Sequence, residues 1–333
     1  MHPLKVYITV DTEFSVGNAF VEPETGQPVG PESVYCTVGG RSQGLGFMLD
    51  VLSEYRLSAT FFVEALNTVW FGDEPMGRIA ASLAESGHDV QLHMHPFWLY
   101  FRHRDWRARL SNVPPQDRTA GREPSELAGL IAMGLDAFRR WGLPRPTAFR
   151  SGGLDVDANV YRALSLCDLH VASNIGLAVY EPPDPSLHLV GGAHQIGDVT
   201  ELPVLTYFAP GIRGRRSRKT LTITGSSWSE IRTLLRKARE HGYQQVVLLT
   251  HPFEFAKPGA ATGTFRVNGI NQRRFRRLCE FIAARPDEFQ AAVMRDVFLE
   301  DLDLGPVEPL QVTLPQALGR MLVNRLNDTF PRL

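Results

Sequence analysis

Cysteine is scarce in this chain. Three occur among 333 residues, Cys36, Cys167 and Cys279, far apart and without a Cys-x-x-Cys pair. That spacing argues against a thiolate metal site and for a reducing compartment, where each cysteine serves as a small hydrophobe. Long apolar runs are missing too. None approaches the ~20 residues that a bilayer demands, and the opening Met-His-Pro-Leu-Lys enters a strand too early and too short for a secretory core. Nor is there an excess of charge of one sign, since 35 Lys and Arg face 36 Asp and Glu. No global field recruits nucleic acid or an acidic membrane, so electrostatic recognition has to be local. These absences lead us to expect a cytoplasmic protein that neither binds nucleic acid nor inserts in a membrane.

What is present is a regular alternation. Short β-branched or apolar runs at Val6–Val10, Ala59–Val63, Asp89–His93, Thr147–Arg150, Leu169–Ala172, Glu201–Leu205, Val246–Thr250 and Ala291–Met294 are separated by helical patterns. The helices are expected near Gly44–Tyr55, Gly77–Glu85, Ser125–Trp141, Val156–Leu166, Ser229–His241 and Gln272–Ala284, with Ser227 as a cap for Trp228 to Glu230. Strands alternating with helices read as parallel βα units, and seven or eight of them predict an α/β fold, a closed or nearly closed barrel over residues 1–300. Residues 301–333 change character. An acidic, proline-containing linker leads to Thr313, Pro315 and an amphipathic helix, expected to pack across the underside of the barrel or against another subunit of a homo-oligomer.

The polar residues follow a rule. Asp11 and Glu13 end the first strand, His93 and His95 another, Arg150 a third, and His251 follows Val-Val-Leu-Leu-Thr. In a βα barrel all of these lie at strand carboxyl ends, the face on which loops assemble active sites. Residues i and i+2 of a strand share a face, so Asp11 points with Glu13, and His93 with His95 if the strand persists. Two carboxylates and two imidazoles form the oxygen and nitrogen donor mixture that suits zinc or a related divalent ion with open positions.

Taken in order, Thr-Val-Asp-Thr-Glu, Ala-Thr-Phe-Phe-Val, Gly-His-Asp-Val-Gln-Leu-His-Met-His-Pro, Phe-Arg-Ser-Gly-Gly and Leu-Thr-His-Pro resemble the polysaccharide deacetylase family, also called NodB-homology or carbohydrate esterase family 4. The resemblance spans about residues 5 to 255. It implies a distorted or incomplete (β/α) barrel and metal-dependent removal of an N-acetyl, or sometimes O-acetyl, group from a sugar. By the same resemblance Asp11 is the catalytic base, Arg150 holds it, His251 is the general acid and Leu249 lines the acetyl pocket. The family's second acid normally follows the base directly, where Thr12 stands here, and its second histidine normally lies four residues after the first, at Phe97. Glu13, His93 and His95 are therefore the expected metal ligands. Zn2+ is the expected ion, with Co2+, Ni2+ or Mn2+ as alternatives.

The resulting chemistry uses a metal-activated water, Asp11 as its base, His251 as acid to the leaving amine, and a backbone N–H after His95 toward the oxyanion. Phe97 and Trp98 are candidates for stacking on sugar, and Arg215 and Arg216, in a basic stretch, for an anionic substrate such as a carrier-linked sugar. The partners expected are acetylated amino sugars, oligosaccharides or carrier-linked sugars. The competing readings are a deformylase or other amidohydrolase of a small or carrier-linked sugar amide, and a non-catalytic carbohydrate-binding module on the same barrel.

Overall fold

The computed structural model describes residues 2–211, 216–259 and 263–329. Its largest sheet contains β1 (Leu4–Thr12), β2 (Thr60–Glu64), β3 (Asp89–Met94), β4 (Ala148–Ser151), β5 (Val171–Ala172), β6 (His194–Ile196), β7 (Val199–Glu201), β8 (Gln245–Thr250) and β9 (Phe289–Ala292). The order is β8-β1-β2-β3-β4-β5-β7-β6, with β9 also on β1. Within this sheet, only β6, which runs back along β7, departs from parallel pairing among the described residues.

β1 is the hub. One edge pairs with β8 over Lys5–Val10, and the other is shared end to end, Leu4–Tyr7 with β9 and Thr9–Thr12 with β2. From β7 back to β8 the ladder is irregular: Val204 bridges Val247, Leu205 N–H donates to Val247 O (3.0 Å), and Leu249 N–H donates to Leu221 O (3.1 Å). Residues 201–205, expected as one strand, break because Pro203 has no N–H for a ladder. The architecture is a distorted, incomplete (β/α) barrel, as the sequence predicts.

Strand parity separates two cores. Val6, Ile8 and Val10 face outward with Phe61, Val63, Leu92, Phe149 and Leu248 to meet the helices α1 (Leu45–Tyr55), α2 (Glu74–Glu85), α3 (Pro124–Arg140), α4 (Ala158–Leu166), α5 (Trp228–Glu240) and α6 (Gly269–Ala283). Tyr7, Phe62, Ala148, Val171, Val247 and Leu249 face inward and fill the barrel. Each large apolar side chain so buried contributes roughly 1.5–3 kcal/mol. Helix α5 starts at the expected cap: Ser227 and Glu230 exchange side-chain-to-backbone hydrogen bonds in a capping box.

The last helix, α7 (Leu314–Thr329), lies elsewhere than under the barrel. Arg320 pairs with the fully buried Glu230 (3.0 Å), Asn324 accepts from Arg274 (2.6 Å), and Asn327 O accepts from Lys257. Glu230 sits in the first turn of α5 and Arg274 in the second turn of α6, near the helix starts, so α7 crosses at the carboxyl ends of the strands. Its barrel-facing side is polar, matched to those two buried charges, while Leu318, Met321 and Leu322 face outward. The expected amphipathicity is present with its sense reversed. No described helix is long and apolar enough to cross a membrane.

Candidate active site

Inward parity continues up the strands into a group of charges. Along β1 the inward positions run Tyr7, Thr9, Asp11 and then Glu13; along β3, His93 and then His95; along β8, Val247, Leu249 and then His251. His95 stands one residue past β3 with an extended backbone, so it keeps the face of His93. Across three adjacent strands Glu64, His93 and Arg150 lie in register.

Glu13, His93 and His95 each offer a ligand atom, and these atoms lie within 4.8 Å of one another. Glu13 Oε2 is 2.8 Å from His95 Nε2 and 3.4 Å from His93 Nε2. The other nitrogen of each ring is committed. His93 Nδ1 is 2.9 Å from Arg150 O, and His95 Nδ1 is 2.9 Å from a carboxylate oxygen of Asp117. Those oxygens only accept, so both Nδ1 atoms donate and both Nε2 lone pairs point toward the Glu13 carboxylate. Two lone pairs and an anionic oxygen face each other stably only with a cation or a proton between them. This donor set therefore fits a divalent ion, with Asp117 and Arg150 O orienting the two rings. The same electrostatics shifts the protonation of both partners. Burial opposes charge on His95, but Glu13 and Asp117 outweigh it and hold the imidazole well above its usual range. Burial likewise works against an ionised Glu13, and the histidines, His95 foremost, pull it well below the usual carboxylate range.

Two features seat His95. Its N–H donates to the buried Glu64, whose other oxygen takes Leu66 N–H, and burial lifts the pKa of Glu64 to about 8. Gly152 passes under the ring so closely that a Cβ there would lie 2.4 Å from His95 Nδ1. Glycine is required at that approach.

Asp11 is held from the opposite wall. Arg150, fully buried, donates from Nη1 to Asp11 Oδ1 (2.8 Å) and Thr9 Oγ1 (2.8 Å), from Nε to Ser173 O (2.8 Å) and from Nη2 to Ser173 Oγ (2.7 Å), while its guanidinium covers the Phe62 ring. Asp11 Oδ2 stands 4.0 Å from His251 Nε2. His251 Nδ1 meets Glu254 Oε1 at 3.1 Å, and Glu254 Oε2 accepts from Thr250 Oγ1 (2.7 Å). Burial pushes the His251 pKa down, yet Glu254, with Asp11 and Glu13 behind it, carries it up to about 9.

The remaining expected contacts divide. Leu249 lies at the top of the inner core near Leu154 and Phe62. Phe97 is half-buried, its ring 4.9 Å from that of His95. Trp98 has no exposed surface and packs against Phe71, Phe97 and Phe101, which removes it from any sugar platform: the turn after His95 folds inward to form the core of an aromatic cluster. Arg216 is exposed at the start of the Arg216–Thr220 strand, and Arg215 lies outside the described residues. The backbone donor expected after His95 is not there. Pro96 has no N–H, and Phe97 N–H is directed at Asp117 (3.4 Å). Sequence reasoning missed Asp117, Glu254, Glu64 and Phe253, the last 42% exposed with its ring stacked on His251 at 4.8 Å. Glu254, three residues past His251 in a short turn, carried a faint spacing signal; Asp117, in a long loop, carried none.

No protein-family model matches this sequence, and no curated protein matches it. The three-dimensional structure does have likenesses. A Mycobacterium smegmatis protein assigned as a polysaccharide deacetylase superposes over 92% of this chain and 93% of its own, with a TM-score of 0.53 at 15% identity. This chain has the polysaccharide deacetylase fold. A 4-α-glucanotransferase from Thermococcus litoralis also aligns, over 95% of this chain and 42% of its own, with a TM-score of 0.52 at 11% identity. The polysaccharide deacetylase fold thus overlaps a barrel with a different reaction, and activity has to be argued from side chains.

Proposed function

We propose that this chain is a metal-dependent carbohydrate deacetylase, a member of the polysaccharide deacetylase family whose metal pair of histidines is spaced His93-x-His95. In this reading residues 1–300 are the barrel domain and residues 301–333 an acidic linker and amphipathic helix packed on it or on a partner subunit. The observation that carries the reading is the arrangement of three chemically distinct groups at one barrel mouth: Glu13, His93 and His95 as ligands, Asp11 on Arg150, and His251 on Glu254.

A divalent ion, zinc by donor preference, would lower the pKa of a bound water and polarise the acetyl carbonyl. The protein supplies the proton movements. Arg150 occupies Asp11 Oδ1 and leaves Oδ2 to take the proton of the attacking water. His251 Nε2, protonated while Glu254 holds Nδ1, donates to the departing sugar amine, so it need not be released as an anion. Leu249 at the floor suits the acetyl methyl, and the exposed Phe253 beside His251 suits the sugar ring on the leaving side.

The test is metal content together with acetate release from free, polymeric and carrier-linked acetylated amino sugars, for wild type and His93→Ala. Bound metal and acetate release, both lost in the variant, are expected. Metal without acetate would move the assignment to another acyl group such as formyl. Purified protein that never holds metal would leave a binding module.

The pH profile gives a second check. His251 has a raised pKa, so its acid form is present at low pH and lost as pH rises through that value. Turnover is expected to fall along an alkaline limb at or below about 9, since a bound cation opposes the imidazolium. Glu254→Gln removes the strongest raising partner and should move that limb to lower pH. A limb that stays in place in Glu254→Gln would separate it from His251.

A further inference from the structure

A second charged site lies on the outer wall of the barrel. Helices α5 and α6 pack with Trp228 against Phe281 (ring centroids 5.6 Å apart, edge to face), and above this contact opens a cleft of about 300 Å³. Its lining includes Arg232 and Arg236, one turn apart on α5, Arg277 on α6, and Arg285 just beyond α6. Glu280 is the sole acid lining it among the described residues. Arg285 and Arg236 lie over the Phe281 ring at 4.4 and 5.8 Å, with guanidinium planes held by an aromatic floor. Arg232, Arg236 and Arg277 have no acidic partner among the described residues, and the nearest acid to Arg285, Glu288, is 4.0 Å away.

The concentration is local. The two helices carry eight Lys and Arg against three Glu, on a chain whose charges taken as a whole nearly cancel. One of those three, Glu230, is buried against Arg320 and contributes nothing to the cleft. Converging guanidiniums without counter-charges repel one another, and the surface elsewhere meets its arginines with acids, as Arg139 and Arg140 show with Asp136 and Asp73. Guanidinium forks match phosphate oxygens two at a time, and four arginines less one glutamate suit a diphosphate better than a single carboxylate.

We propose that this cleft binds a soluble diphosphate-bearing ligand, the phosphates between the α5 and α6 arginines and an apolar or aromatic moiety against Trp228. The site is independent of the proposed deacetylase chemistry, since none of its residues belongs to the barrel mouth. Calorimetric titration with inorganic pyrophosphate and with ADP, on wild type, Arg236→Gln/Arg277→Gln and His93→Ala, tests it. Expected are saturable heats that weaken with salt, ADP binding at least as well as pyrophosphate, and a loss of ~10-fold or more in affinity in the arginine variant alone. No saturable binding at low salt would overturn the proposal. So would affinity unchanged in the arginine variant, or lost in His93→Ala, which would place the anion at the metal ligands. Phosphatidylglycerol vesicles serve as a separate arm: vesicles bound in the absence of pyrophosphate binding would assign the arginines to a membrane surface and overturn the soluble ligand.

Discussion

Asp11→Asn is expected to lower turnover by ~10²–10⁴-fold with metal content unchanged. The substitution keeps the shape of the side chain, and its carbonyl oxygen still accepts from Arg150 at the position of Oδ1. What it loses is the second oxygen, 4.0 Å from His251 Nε2, which an amide nitrogen cannot replace as a proton acceptor. The proposed ligands Glu13, His93 and His95 are untouched, so metal analysis and acetate release on one preparation separate the two functions. Unchanged turnover with metal retained would end the base assignment.

Arg150→Met is expected to cost ~3–5 kcal/mol of stability as well as activity. The guanidinium is fully buried and satisfies Asp11, Thr9 and both polar groups of Ser173. Methionine fills much of the volume and satisfies none of them, which leaves a carboxylate buried without its counter-charge. Equilibrium denaturation measures the loss, and adding Asp11→Asn identifies its source. The double variant should regain part of the stability, because the orphaned charge is gone. A double variant no more stable than the single one would show that the arginine stabilises through Ser173 and Thr9 instead.

The parallel strands were legible in the sequence because parity and apolar runs are local properties. Seven of the eight expected strands are found within a few residues, the exception being 201–205, and the inward set Asp11, Glu13, His93, His95 and His251 follows from counting by two along β1, β3 and β8. The site residues that were not legible come from segments with no period. Asp117 reaches His95 from a loop, and Glu254 reaches His251 through a short turn, so a distance along the chain did not encode a direction in space. Trp98 failed for a related reason. An aromatic residue near a site can stack on a ligand or on other aromatics, and only the turn at Pro96 decides between them. In α7 the apolar spacing was read correctly, but the side facing the barrel is set by the buried charges of Glu230 and Arg274, which lie far away in sequence.

The position of β1 has a consequence for how the chain is made. It is made before every other strand of the sheet, yet its partners β8 and β9 lie some 240 and 285 residues further on, and β2 covers only its last four residues. Closing so long a loop is entropically expensive and slow, so apart from the end covered by β2 the hub stays unpaired until β8 and β9 are made. Asp11 and Glu13 ride on that strand while His251 arrives with β8, so the proposed site cannot assemble before translation of the barrel is nearly complete. Until then an apolar strand edge waits exposed, the kind of edge that pairs with the wrong strand when chains are crowded.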